Sequence, residues 1–139
     1  MKKRLLALAL TFVMCLAFAA CGGEGNTPKD PPDLTGTWKQ DGFETAETYQ
    51  EAIIDGDTIT INWVTVEDNS KALYWAGTYI APNTSSDPYT WDSKNDHEQT
   101  DSAILASSDD TKTFTYSNGV LSYSVSAMGV TKTVELIKQ

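Results

Sequence analysis

The chain has 139 residues, 10 basic against 19 acidic side chains, two cysteines and one histidine. That length suits one domain, so acidic a chain is a poor partner for nucleic acid, and one imidazole leaves little material for acid–base catalysis. Lys2, Lys3 and Arg4 are the only basic residues of the first twenty, and no arginine follows them, so the remainder sets seven lysines against all 19 acids.

Residues 1–20 combine that basic head with an almost unbroken apolar run from Leu5 to Ala20, the pattern of a secretory signal peptide. The run is too short to span, since a membrane-crossing helix needs about 20 apolar residues and a stop-transfer flank. It ends in Phe18-Ala19-Ala20-Cys21 followed by Gly22-Gly23, which resembles a bacterial lipobox. The resemblance implies acylation of Cys21 on sulfur, removal of residues 1–20, and a lipid anchor in a bacterial cell envelope, on the extracytoplasmic side. An ordinary cleaved signal peptide with an incidental cysteine is the alternative. Cys15 follows Met14, not a small residue, and is expected to leave with the leader. No disulfide is then possible, although the compartment would permit one. Residues 21–33 are rich in Gly, Pro, Asn and Asp with nothing to bury, and read as a flexible tether.

Residues 34–139 form the folded domain, and its pattern is all-β: short runs of Thr, Val, Ile, Tyr and Trp between turn residues. The first candidate strand is 34–40. The second and third, 49–54 and 58–66, flank Asp55-Gly56, with Ile59, Ile61 and Trp63 alternating against Thr58, Thr60 and Asn62. A three-residue loop at Asp68-Asn69-Ser70 would pair Glu67 with Lys71, hence Trp63 with Trp75, Ile61 with Gly77 and Ile59 with Tyr79. Residues 88–92, 102–107 and 112–116 are the next candidates. Asn118-Gly119 then suits a two-residue type I′ hairpin. It would set Ser117 opposite Val120, Tyr116 opposite Leu121 and Phe114 opposite Tyr123. The Met128-Gly129 turn would pair Ala127 with Val130, Tyr123 with Val134 and Leu121 with Leu136, keeping one face apolar across three strands. Local hairpins throughout predict an up-and-down antiparallel meander closing into a small barrel. Closure requires an even number of strands, so one of nine candidates must fail, either 88–92 or 102–107. An open curled sheet or a two-layer β-sandwich is the alternative.

The first strand, Leu34-Thr35-Gly36-Thr37-Trp38-Lys39, is similar to the opening G-x-W of the lipocalins. The resemblance implies an eight-stranded barrel with Trp38 closing its bottom. Where lipocalins pack a final-strand arginine over that tryptophan, this chain offers Lys138.

His97 stands in a polar loop, and no nucleophile elbow or glycine-rich turn marks a hydroxyl partner, so the domain is expected not to be an enzyme and to need no cofactor. The same loop gathers Asp92, Asn95, Asp96, Glu98 and Asp101, oxygen ligands of the kind calcium takes, but their spacing is not that of an EF-hand; a solvated acidic loop is expected, with no metal. Trp63, Trp75, Tyr79, Tyr89 and Trp91 are the candidate ligand-binding residues, with the indoles of Trp63, Trp75 and Trp91 on consecutive strands forming a wall against which a small apolar ligand would lie. Filling of the core by the same rings is the alternative. The expectation is a monomeric, membrane-anchored binding protein for a small apolar ligand. The alternative is an envelope interaction module, such as an adhesin, inhibitor or exclusion factor, with a filled barrel.

Overall fold

The structure, a computed structural model, describes residues 29–139; the leader, Cys21 and the tether up to residue 28 lie outside the described residues. Eight strands account for the domain: β1 (Gly36–Gln40), β2 (Thr48–Asp55), β3 (Thr58–Thr65), β4 (Lys71–Thr78), β5 (Tyr89–Lys94), β6 (Thr111–Ser117), β7 (Val120–Ala127) and β8 (Val130–Lys138). One helical turn, α1 (His97–Thr100), follows β5. The strands form a single antiparallel sheet in the order β4-β3-β2-β1-β8-β7-β6-β5, curled into a nearly closed barrel. The first and last strands pair, Trp38 opposite Lys138 and Gln40 opposite Leu136. The remaining seam therefore falls in the middle of the chain, between β4 and β5.

The even count is reached because 102–107 is not a strand. Ile104 and Leu105 are adjacent apolar residues rather than alternating ones. Their segment turns on itself, Ala103 N donating to the Thr100 carbonyl and Ala106 N to that of Ala103. Residues 88–92 do belong to a strand, β5.

The C-terminal register is the one the two glycine turns predict. Phe114 lies opposite Tyr123 and Ser117 opposite Val120; Tyr123 lies opposite Val134 and Leu121 opposite Leu136. Both turns are held by residues in the left-handed region, Asn118 and Met128 ahead of Gly119 and Gly129, as a type I′ turn requires.

The β3–β4 pairing is a correction. β3 ends at Thr65, Thr65 N donates to the Ser70 carbonyl, and Asn69 adopts positive φ, so the connection is longer than three residues. Lys71 then faces Val64 rather than Glu67, and a bulge at Tyr74 shifts the ladder once more. As a result Trp75 pairs with Ile61 and Gly77 with Ile59, while Trp63 faces Ala72. The net slip at Trp75 is two residues, which preserves the side-chain face but changes every partner. The bulge lets Tyr74 and Trp75, at 6% and 0% exposure, both enter the core.

Two ends of the barrel differ. At one, the incoming chain crosses the opening with Leu34 buried beneath it. Trp38 donates its indole N–H to the Leu34 carbonyl at 2.9 Å and meets Tyr116 edge-on. Lys138 Nζ stands 5.9 Å from the Trp38 ring and bonds the Asp33 carbonyl at 2.7 Å. This is the closed end. The opposite, distal end is bounded by the connections 41–47, 66–70, 95–110 and 128–129.

Between the ends the interior is filled by a continuous succession of rings. Tyr79 meets Trp91 at 5.2 Å, Trp91 stacks on Phe114 at 5.1 Å, and Phe114 touches Tyr123 at 5.2 Å. Tyr123 then stacks on Tyr74 at 6.3 Å, and Tyr74 meets Trp63 at 6.0 Å. Such contacts add to the burial free energy of each ring. Desolvation, with help from the neighbouring Tyr89 and Asp33, pushes the Tyr79 phenol up to about 12.

Candidate functional site

The seam fixes where the distal loops lie. Regular pairing between β4 and β5 reduces to one bridge, Gly77 with Asn95. It is supplemented by Asp96 N on the Ala76 carbonyl at 2.8 Å and Ser107 N on the Tyr74 carbonyl at 2.9 Å. Trp75 reaches across the same seam, its indole N–H donating to Ser93 Oγ at 3.0 Å. Asn95 anchors the long loop, its amide nitrogen donating to the carbonyls of Ser107 and Asp109 while its oxygen accepts from Thr100 Oγ1. With that loop pinned, residues 105–109 stand over the distal opening.

The opening is a cavity of about 410 Å³ lined by Trp63 from β3, Tyr74 from the β4 bulge, Val125 from β7, and loop residues including Leu105 and Asp109. Beneath it lies a polar layer. Lys112 is nearly buried, and its ammonium sits 5.3 Å from the Tyr74 ring and 5.2 Å from that of Trp75, a cation–π arrangement. Lys112 also donates to the Ser124 carbonyl at 3.2 Å and approaches Asp109 at 3.7 Å. Tyr123 donates its hydroxyl to Gln50 Oε1; desolvation, with the neighbouring Tyr74, raises that phenol well above its ordinary value. Gln50 Nε2 and Trp91 Nε1 have no hydrogen-bond partner among the described residues.

Leu105 lines this opening beside the polar Ser107, Ser108, Asp109 and Ser126, and further apolar side chains are exposed on the distal segments around it. Val66 is 48% exposed, Leu105 55%, Val130 56%, and Ile104 and Met128 are fully exposed. Toward the closed end the exposed large apolar residues are Ile80, at 56%, and, on the outer wall, Ile53 and Ile137 at 39% and 38%.

The five sequence-predicted ligand residues do not form one wall. Tyr79, Tyr89 and Trp91 pack on one another toward the closed end, with the Tyr89 hydroxyl on the Ile80 carbonyl. Trp75 is sealed at the seam, so the expected Trp63–Trp75 pairing is replaced. Trp63 alone among them reaches the mouth. Tyr74, Lys112 and Gln50 were missed because face alternation cannot reveal a bulge or depth along a barrel. The rim could have been found from Ile104-Leu105, two apolar residues in a polar loop, and from Met128 at a turn apex where polar residues are usual.

His97 is partly exposed and held between carboxylates, Nδ1 at 2.9 Å from Asp101 and Nε2 at 3.0 Å from Asp110. These bonds raise its pKa, and both ring nitrogens are occupied. The acidic residues beside it serve local structure. Asp92 accepts from Thr113 Oγ1, and Asp96 caps α1 through the Glu98 amide. Among the described residues no group of three acidic, histidine or cysteine side chains is placed to hold a metal ion. Compared with protein-family models, curated proteins and solved structures, the chain matches none.

Proposed function

We propose that this chain is a lipid-anchored protein of a bacterial envelope whose barrel is a non-catalytic scaffold presenting its distal rim to a protein partner. The observation that carries this reading is the contrast between an interior occupied by stacked rings and a rim of five exposed apolar side chains. Exposed apolar surface gathered at one end of a domain is of the kind that interaction sites use. The lipobox-like end of the leader at Cys21 supports the anchor. The absence of catalysis is supported by His97, whose two nitrogens are taken up by Asp101 and Asp110 and so are not free to accept a proton from a nucleophile. A second reading, a small apolar ligand seated against Trp63 and Tyr74, draws on the mouth cavity and its size.

Anchoring is tested by fractionation. Cys21→Ser is expected to move the protein from the membrane to the soluble fraction, because acyl chains are the strong membrane attachment available to so acidic a chain. If the variant still sediments with membranes after a high-salt wash, the anchor is elsewhere.

The interaction reading is tested by a photo-reactive side chain at Leu105 and, in a separate protein, at Ile80, two positions of nearly equal exposure at opposite ends. Irradiation of intact envelopes is expected to join a protein to the Leu105 position and not to Ile80. No adduct at either site, or equal adducts at both, defeats the proposal.

A further inference from the structure

We infer that His97, in its doubly protonated form, is a pH-sensitive clasp on the loop 101–110, and that this loop loosens when the imidazole gives up its second proton. Asp101 stands where the chain leaves α1, and Asp110 where it is about to enter β6. His97 lies between them, Nδ1 at 2.9 Å from Asp101 Oδ1 and Nε2 at 3.0 Å from Asp110 Oδ1, so the ring closes the neck of the loop. Beyond that neck, Leu105, Ala106, Ser107, Ser108 and Asp109 line one side of the mouth. The clasp does not depend on what the mouth or the rim binds, and it goes beyond the interaction reading.

The geometry selects the protonation state. An ionised carboxylate only accepts hydrogen bonds, and a neutral imidazole has one N–H and one lone pair. Neutral His97 can therefore satisfy one of its two carboxylates and turns a lone pair toward the other. The imidazolium alone donates to both, with charge assisting each bond. The Asp101 bond and then the Asp110 bond raise the pKa of His97 above its ordinary 6.5, against the lowering effect of burial. Because the value is raised on folding, the clasp contributes fully below 6.5 and is lost as pH climbs through the raised value.

The other charges around α1 are engaged elsewhere or make no bond to the ring. Asp96 accepts from the Glu98 amide and from Gln99 Nε2. Asp109 accepts from Ser107 Oγ and is approached by Lys112, whose ammonium is turned inward onto Tyr74 and Trp75. On β4, against which α1 packs, the ionisable side chains are Lys71, held by Glu51, and Tyr74, stacked on Tyr123. Glu98 is exposed on α1 itself, and Asp57 and Lys94 line a depression with Asp96 and Gln99; none of these bonds His97.

The remaining fastenings decide which part of the loop is released. Residues 107–109 are held without His97, Ser107 N donating to the Tyr74 carbonyl and the Asn95 amide nitrogen to the carbonyls of Ser107 and Asp109. Residues 102–106 donate only two hydrogen bonds among the described residues, Ala103 N to the Thr100 carbonyl and Ala106 N to that of Ala103. The segment that carries Ile104 and Leu105 is therefore the part the clasp restrains.

The test uses the full chain carrying Cys21→Ser, a position outside the barrel, and the chain's one histidine makes its titration directly readable. Ring-nitrogen shifts in NMR are expected to give a pKa above 6.5 that falls in Asp101→Asn and also in Asp110→Asn. His97, Asp101 and Asp110 lie at the surface, and unchanged tryptophan fluorescence checks that each variant keeps its core. Amide exchange is then followed through the titration, each rate taken relative to the intrinsic rate at the same pH. Protection of Ala103 and Ala106 is expected to fall by about two- to fivefold, the size of an exposed charge pair, while that of Ser107 holds. In His97→Gln the Ala103 and Ala106 amides should show the lower protection at every pH.

The inference is overturned if the His97 pKa is 6.5 or below, or if neither asparagine variant moves it. It is equally overturned if the Ala103 and Ala106 amides do not respond to the titration, if their response persists in His97→Gln, or if Ser107 loosens as much as they do, since the change would then belong to the barrel and not to the clasp.

Discussion

Trp75→Ala is expected to lower the stability of the barrel by about 3 to 5 kcal/mol, the cost of truncating a fully buried large aromatic and leaving a cavity. Trp75 is 0% exposed, so surrounding side chains would have to collapse into the space it leaves, which a close-packed core resists. The substitution also removes the donor to Ser93 Oγ and the ring beneath the Lys112 ammonium. Both losses fall at the seam, where β4 and β5 share one bridge in place of a ladder. Urea unfolding should show the midpoint falling with the slope unchanged, as expected when stability alone is altered. Trp63→Ala, half-buried at the mouth, should cost clearly less. A Trp75→Ala loss below about 1 kcal/mol would fall among ordinary surface substitutions and show that this ring is not part of a packed core.

Gly77→Ala should be nearly as damaging for the opposite reason. A methyl group there would lie 2.4 Å from Ser93 Oγ, 2.6 Å from the Lys94 carbonyl oxygen and 2.7 Å from Trp75 Nε1. The second of these is backbone and cannot rotate away, so the two strands must part. A loss of about 3 kcal/mol, at the upper end of overpacking costs, is expected. Hydrogen exchange should locate the damage, the Asp96 amide losing protection because its acceptor is the Ala76 carbonyl beside the substituted residue. Adding Ser93→Ala should restore only part of the stability, since the carbonyl clash remains. Full tolerance of Gly77→Ala would mean that the seam is looser than the contacts at Gly77 require.

Legibility in the sequence followed the locality of each determinant. The three C-terminal strands were readable because Asn118-Gly119 and Met128-Gly129 are two-residue turns that fix register by themselves, and the alternation of Phe114, Tyr123 and Val134 agreed with both. The β3–β4 register was not readable, because it depends on left-handed Asn69 and on the bulge at Tyr74, neither of which alters the alternation seen along the strand. The Ile104-Leu105 segment resembled a strand in composition, but it turns on itself and meets the β4 edge through Ser107 N on the Tyr74 carbonyl, not through a ladder. For the site, the pattern could tell inward from outward but not near from far along the barrel. Trp63, Trp75 and Trp91 thus read as one wall, although Trp63 stands at the mouth, Trp75 is sealed at the seam, and Trp91 lies with Tyr79 and Tyr89 toward the closed end. The distal rim belongs to loops, where no periodicity marks an apolar residue as meaningful.

The chain enters the barrel through β1, and β1 is paired on both sides, to β2 and to β8. A pull between the N-terminal side at the closed end and a grip on the distal rim would run along the strand axes. The ladder bonds on either flank of β1 lie across that direction, so they would be sheared together instead of being peeled off singly. The weakly joined β4–β5 seam lies far from β1 in the sheet order and is not on the direct line of such a load. The barrel is therefore built to stay folded under tension applied from end to end, with its lifetime under load set by the rate at which it unfolds rather than by its equilibrium stability.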